Sequence, residues 1–269
     1  MTPTAPTSEP KNIDCAHLAD YSAVEGVFAG THLHLFGGPY VTVDGERREL
    51  PTGSKRLVAF VALHHGHVDR QFAAGLLWPV GDDHRAAGNL RSALWRLRSI
   101  GVDLLRADNT SMSLSEGVMV DAVLASEWAR RLIDRIPAAD DLALIPWIDD
   151  ALDLLPGWYD DWAIIARERL RQRVLHALEG LSRRFRAVQR FAEAVEAAMM
   201  AVAAEPLRES AQRVLIEAHL AEGNLVEARR TFQMYRMCAR EELGVEPSPA
   251  LAQLVSAHPY PALRAVVAR

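Results

Sequence analysis

Apolar and polar residues alternate with a period of two from Thr31 to Leu50, the spacing of half-buried strands. His32-Leu33-His34-Leu35-Phe36 and Tyr40-Val41-Thr42-Val43 predict two strands separated by Gly37-Gly38-Pro39. Asp44-Gly45 predicts a tight hairpin into a third short strand, Glu46 to Leu50. The period then changes. Pro51-Thr52-Gly53-Ser54 leads into Lys55 to His65, with Leu57, Val58, Val61 and Ala62 on one side, which reads as a helix stopped at Gly66. A second helix runs from Asp69 or Arg70 to Trp78 and is stopped by Pro79. Asp82 and Asp83 open a third, which ends near Ser99 and is closed by Gly101. Leu104 to Arg106 and Met112 to Leu114 flank Asp108-Asn109 as a hairpin.

Strands, three short helices and a hairpin, in that order, make a winged helix-turn-helix with an extra N-terminal sheet; Pro79-Val80-Gly81 is a turn short enough to join its second and third helices. After Asp121 the pattern is helical to the end. Phe191-Ala192-Glu193-Ala194 returns as Leu225-Val226-Glu227-Ala228 at an offset of 34 residues, the period of a tetratricopeptide repeat. Ala194 and Ala228 let paired helices approach, Pro206 and Gly223-Asn224 supply turns, and Phe232 and Tyr235 fill the second repeat. An amphipathic bundle with coincidental spacing is the plainer alternative. The chain is therefore expected to be mainly α. Its expected parts are a flexible leader (1–30), a winged helix-turn-helix (31–121), an all-α tetratricopeptide-like domain (122–255) and a tail (256–269).

Composition changes this picture little. The net charge of −5 does not advertise a nucleic-acid partner, but only the face that meets phosphate must be basic. Cys15 and Cys238 lack metal-type spacing, which fits a reducing cytoplasm and a cytoplasmic, nucleoid-associated protein. No apolar run is long enough for a membrane span, and the Pro-, Thr- and Ser-rich start is not a signal peptide.

The third predicted helix carries the candidate chemistry. On a helical wheel Ala87, Leu90, Leu94 and Leu97 form an apolar stripe, and Arg85, Asn89, Ser92 and Arg96 lie opposite it. Arg suits the O6 and N7 of guanine and Asn the N6 and N7 of adenine, so these four are the candidate base-facing residues. Arg91, Trp95 and Arg98 flank them as candidate phosphate contacts. Between His84 and Arg106 five arginines face one acid, Asp103, a local excess of four positive charges in an acidic chain. Lys55 and Arg56, at the start of the first helix, and Arg106, Thr110 and Ser111, on the hairpin, complete the phosphate set.

Several segments together resemble the Streptomyces antibiotic regulatory protein family. Gly53 to Ala59, Leu76-Leu77-Trp78-Pro79 and Asn89 to Arg98 are similar to its OmpR-like DNA-binding domain, and Val118 to Asp121 to the strand leading out of the wing. Leu154-Leu155-Pro156-Gly157-Trp158-Tyr159-Asp160-Asp161-Trp162, then Glu168-Arg169-Leu170, resembles the opening of the bacterial transcriptional activator domain, and Glu241 to Ser248 its end. The resemblance implies an activator that binds direct repeats near promoters as side-by-side dimers. It also implies recruitment of RNA polymerase holoenzyme and control of gene clusters, frequently for secondary metabolites. A small, stand-alone member is expected, without appended ATPase or phosphopeptide-binding domains. The hairpin Asp108 to Leu114 lacks the Gly-Tyr pair of many members.

No enzyme is expected, and no metal or cofactor. His64-His65-Gly66-His67 has no companion carboxylate at ligand spacing and is explained by a helix end. Asp140-Asp141, Asp149-Asp150 and Asp160-Asp161 are neighbours that point apart on a helix. There is no phosphate loop and no nucleophile elbow. A repeat-type protein adaptor with a degenerate winged helix is the alternative function, because concave repeat surfaces bind partners.

Overall fold

The computed structural model describes residues 30–64, 67–134 and 152–258. The chain is mainly α, with a small N-terminal β-sheet, a winged helix-turn-helix and a tetratricopeptide-like helical region. The expected leader, the acidic pairs at 140–141 and 149–150, His65, Gly66 and the tail beyond 258 lie outside the described residues.

Strands β1 (Thr31–His34), β2 (Tyr40–Val43) and β3 (Glu46–Glu49) form an antiparallel meander. Asp44 and Gly45 both have positive φ (50° and 83°), the backbone of the two-residue hairpin turn that Asp-Gly favours. Strand β7 (Val118–Val120), after the wing, returns to pair in parallel with β1 and completes the sheet order β3-β2-β1-β7. Between them lie α1 (Thr52–Leu63), β4 (His67–Asp69), α2 (Arg70–Leu77), α3 (Asp83–Arg98), β5 (Leu105–Ala107) and β6 (Ser111–Leu114). Strand β4 pairs with β6 and β6 with β5, so the wing hairpin is anchored on a third strand. Sequence reasoning passed over β4, because three residues are too few to display a period.

Helix α1 starts three residues before the expected Lys55, and Leu57 to Ala62 are buried without a break. That near-complete burial follows from its place at the centre: it touches α2, α3, β4, β6 and two later helices. Helix α4 (Asp121–Ile133) buries Ala122, Ala125, Trp128, Ala129 and Leu132 at helical spacing. Its first residue, Asp121, accepts hydrogen bonds from the backbone N–H groups of Leu35 (2.8 Å) and Phe36 (3.1 Å), which fastens the end of β1 to the start of the helical region.

Helices α5 (Asp161–Ala187), α6 (Phe191–Ala204), α7 (Glu209–Glu222) and α8 (Leu225–Cys238) follow, then a π-helical turn (Ala239–Leu243) and α9 (Pro249–Ser256). Helices α6 and α8 begin at the two copies of the repeated motif, and Ala194 and Ala228 are fully buried. Tyr235 is buried and Phe232 half-buried beside it. The second helices of the two units, α7 and α9, start 40 residues apart, because the π-helical turn and the loop after it lengthen the second unit. One hydrophobic core runs unbroken from Leu33 in β1 to Ala218 in α7. A smaller cluster, Ile216, Ala228, Tyr235, Ala239, Leu251 and Val255, serves the last unit. Among the described residues no helix is long and apolar enough to cross a membrane.

On the outer face of the sheet the His34 ring stacks on Tyr40 (4.4 Å between centroids), Arg47 lies 3.9 Å over the Tyr40 ring, and His34 Nε2 hydrogen-bonds Thr42 Oγ1 at 2.9 Å. Burial, and then the charges of His32 and Arg47, push the His34 pKa down from 6.5 to about 4. A histidine depressed in this way binds its proton more weakly folded than unfolded. Its contribution to stability is full above pH 6.5 and is lost as the pH falls towards 4. Unfolding curves recorded between pH 7 and pH 4 are expected to show stability falling with pH, and His34→Gln is expected to make that fall shallower. An unchanged pH dependence in the variant would count against this role.

Candidate nucleic-acid interface

Helix α3 is held at both ends and along one side. The Asp82 carboxylate accepts from the Arg85 backbone N–H at 2.8 Å and caps the first turn, while Arg96 and Arg98 occupy the last turn, where cations suit the helix dipole. Its buried face is Ala86, Leu90, Ala93, Leu94 and Leu97. The fully buried Ser54 hydroxyl of α1 donates to the Ala93 carbonyl at 2.7 Å and pins the two helices together. The sequence wheel had placed Ala87 in the apolar stripe; Ala87 is half-buried, and Ala86 and Ala93 take its place. At about 100° per residue this turns the outward line of the helix by about 35°, towards Gly88, Ser92 and Trp95. The wheel went astray because alanine is small enough to sit on either side, and only the contact with α1 decides.

Arg85, Asn89, Ser92 and Arg96 are all exposed on α3, as are Arg91, Trp95 and Arg98. Within this group the side chains are not equivalent. The Ser92 hydroxyl donates to the Gly88 carbonyl one turn earlier (3.0 Å). The Arg96 guanidinium lies over the first turn of α1, so close that a Cβ on Gly53 would stand 2.5 Å from its Nη1. Among the described residues, none of the four α3 arginines is paired with a carboxylate.

The other candidates are more occupied. Lys55 is 3.3 Å from the Glu49 carboxylate, and Arg106 is 3.4 Å from that of Glu116. Thr110 and Ser111 donate through both backbone N–H and hydroxyl to Asp108, and these bonds, those from Ser111 first, hold the Asp108 carboxyl well below the usual carboxylate range. Arg56 is placed elsewhere altogether. It donates to the Leu77 carbonyl at the end of α2 (3.0 Å) and to Asp160 before α5, at the seam between the winged and helical halves. Arg70 was missed by sequence reasoning. Its backbone N–H donates to Thr110 O (2.9 Å) and its guanidinium to Asp108 O, so it holds the wing tip beside α3, in a cleft shared with Arg91 and Asn109. No local signal marks it, because its role comes from the pairing of β4 with β6, which brings Arg70 to the wing tip.

Of the histidine run, His64 donates from Nδ1 to the Phe60 carbonyl (2.8 Å) and packs its ring on Phe60. Among the described residues no cluster of three His, Cys, Asp or Glu side chains is placed to hold a metal ion.

Residues 121–257, just over half of the chain, match the family described as Bacterial transcriptional activator domain. The chain belongs to the Streptomyces antibiotic regulatory protein family. Its match to the activator domain begins where α4 begins. Regulatory protein AfsR of Streptomyces griseus is 32% identical over 187 residues, covering 66% of this chain and 19% of AfsR. Regulatory protein AfsR of Streptomyces coelicolor is 32% identical over 229 residues, covering 78% and 22%. The chain thus spans about a fifth of the length of those relatives. EmbR of Mycobacterium tuberculosis, solved in complex with a low-affinity phosphopeptide, superposes with a TM-score of 0.57 at 16% identity over 84% of this chain and 64% of EmbR. That likeness is one of fold. The family is one of transcription regulators.

Arg56 is expected to matter to the seam. Arg56→Ala leaves the Asp160 carboxylate and the Leu77 carbonyl without this donor, and thermal unfolding should show a loss of about 1–3 kcal/mol. No change in unfolding would mean that the seam does not depend on it.

Proposed function

We propose that this family member is a sequence-specific DNA-binding transcription activator that inserts α3 into the major groove of double-stranded DNA. The observation that carries the reading is the set of four exposed arginines of α3, Arg85, Arg91, Arg96 and Arg98, which among the described residues stand without carboxylate partners in an acidic chain. An arginine already paired with an acid releases few counterions on meeting phosphate; an unpaired one contributes fully. Arg85 and Asn89 face the bases. Arg91 and Arg98 meet phosphates on one flank, and the wing, with Arg106, Thr110 and Ser111, lies along the adjoining backbone. Arg96, pressed against the first turn of α1 beside Lys55, joins the phosphate set rather than the base-facing row. Helix α1 adds the free N–H groups of its first turn there.

Membership of the family extends the proposal to direct repeats near promoters, occupied by a homodimer on DNA, with recruitment of RNA polymerase holoenzyme to a secondary-metabolite gene cluster. The helical region supplies the protein contacts.

The test is selection of bound genomic fragments by the purified chain, followed by affinity at several salt concentrations. A recurrent direct repeat is expected, with affinity falling as salt rises at a log–log slope of about −0.9 per neutralised phosphate. Asn89→Ala should lose about 1–3 kcal/mol on the selected repeat and much less on random DNA, whereas Arg96→Ala should lose equally on both. Gly53→Ala should displace the Arg96 guanidinium and weaken DNA binding less than Arg96→Ala does, with unfolding stability retained, because the clashing atom is the far end of a flexible side chain. No enriched sequence and no salt slope would transfer the function to a protein adaptor.

A further inference from the structure

We infer that Trp95 reads the 5-methyl group of a thymine in the major groove. The inference rests on the DNA-binding reading above and adds a specificity determinant of a different chemistry. The line of α3 opposite its buried face runs through Gly88, Ser92 and Trp95. Gly88 has no side chain, and the Ser92 hydroxyl is engaged with the Gly88 carbonyl. The crest of the helix therefore offers little hydrogen-bonding capacity, while the donors stand on its flanks, Arg85, Asn89 and Arg96 on one side and Arg91 and Arg98 on the other. Trp95 is the one large apolar group on that crest. It is 73% exposed, and among the described residues no hydrogen bond, ring contact or core cluster involves it, so the fold makes no use of it.

The major groove presents hydrogen-bonding atoms at every base pair and one apolar feature, the thymine methyl. An indole on the outermost line of the helix meets the floor of the groove, while the flanking side chains reach past it, Arg85 and Asn89 to base edges and Arg91, Arg96 and Arg98 to the phosphates of the walls. A contact to phosphate would use the indole N–H alone and leave the ring in water; a contact to the methyl removes apolar surface from water on both partners.

The experiment replaces each thymine of the selected repeat in turn by deoxyuridine, which removes the methyl group and no hydrogen-bonding atom. Affinities are measured for the wild-type chain and for Trp95→Ala at one salt concentration. One position per half-site is expected to weaken wild-type binding by about fourfold, the worth of one buried methyl group. Trp95→Ala should bind the unmodified repeat at least that much more weakly and show no further loss with deoxyuridine at that position. Unfolding of Trp95→Ala should match the wild type. A selected repeat with no deoxyuridine-sensitive position, or one equally sensitive in both proteins, overturns this inference alone and assigns the indole to the backbone. Failure to select any repeat overturns the DNA-binding reading and this inference with it.

Discussion

The guanidinium of Arg167 gathers three backbone carbonyls, those of Leu154 (2.6 Å), Leu155 and Trp158 (3.1 Å), and the joining of the two halves of the molecule depends on that gathering. The loop it shapes lies against the end of β1. Leu155 N–H donates to Leu35 O (3.1 Å), Gly37 N–H donates to Asp153 O (3.3 Å), and Phe36 forms an isolated bridge with Leu154. Leu154 and Leu155 are buried by this arrangement. Carbonyls turned inward need donors, and a single arginine on the first turns of α5 supplies them.

From that loop outward, contacts lead to the interface helix through α1. Trp162 of α5 meets Phe60 edge to face at 5.2 Å, Arg56 bridges α2 and Asp160, and Ser54 holds α3 by its Ala93 carbonyl. Phe60 and Arg56, one turn apart, share the face of α1 that meets α5, and Ser54 lies on the far side against α3, which is why that helix is buried nearly all round and why its sequence shows a weaker stripe than α3. The orientation of α3 relative to α5 is therefore set by side-chain contacts made through a rigid element rather than by a linker.

Most of the local structure was legible in the sequence because its signals are local. Asp44-Gly45 specifies a hairpin by backbone preference, Asp82 caps α3, and the motif at Phe191 and Leu225 marks two helix starts. What was not legible depends on partners distant in sequence. The pairing of β7 with β1 spans the whole winged half, β4 acquires its identity only from β6, and the side of α3 on which alanine is buried is decided by α1. In the candidate site the same distinction holds. The exposed row of α3 follows from its period, but Arg56 and Arg96 are two similar basic residues whose placement turns on Asp160 in one case and on the missing Cβ of Gly53 in the other.

Apolar packing is divided between one long core, a three-residue cluster where α6 meets α7 and a small terminal cluster, and the division has its own dynamic consequence. Most buried residues from β1 to α7 share a single network and lose their packing together, whereas α8 and α9 rest on the few side chains around Tyr235 and Leu251. Amide protons of α8 and α9 are therefore expected to exchange through partial opening of the last unit, at a lower free energy than those of the long core.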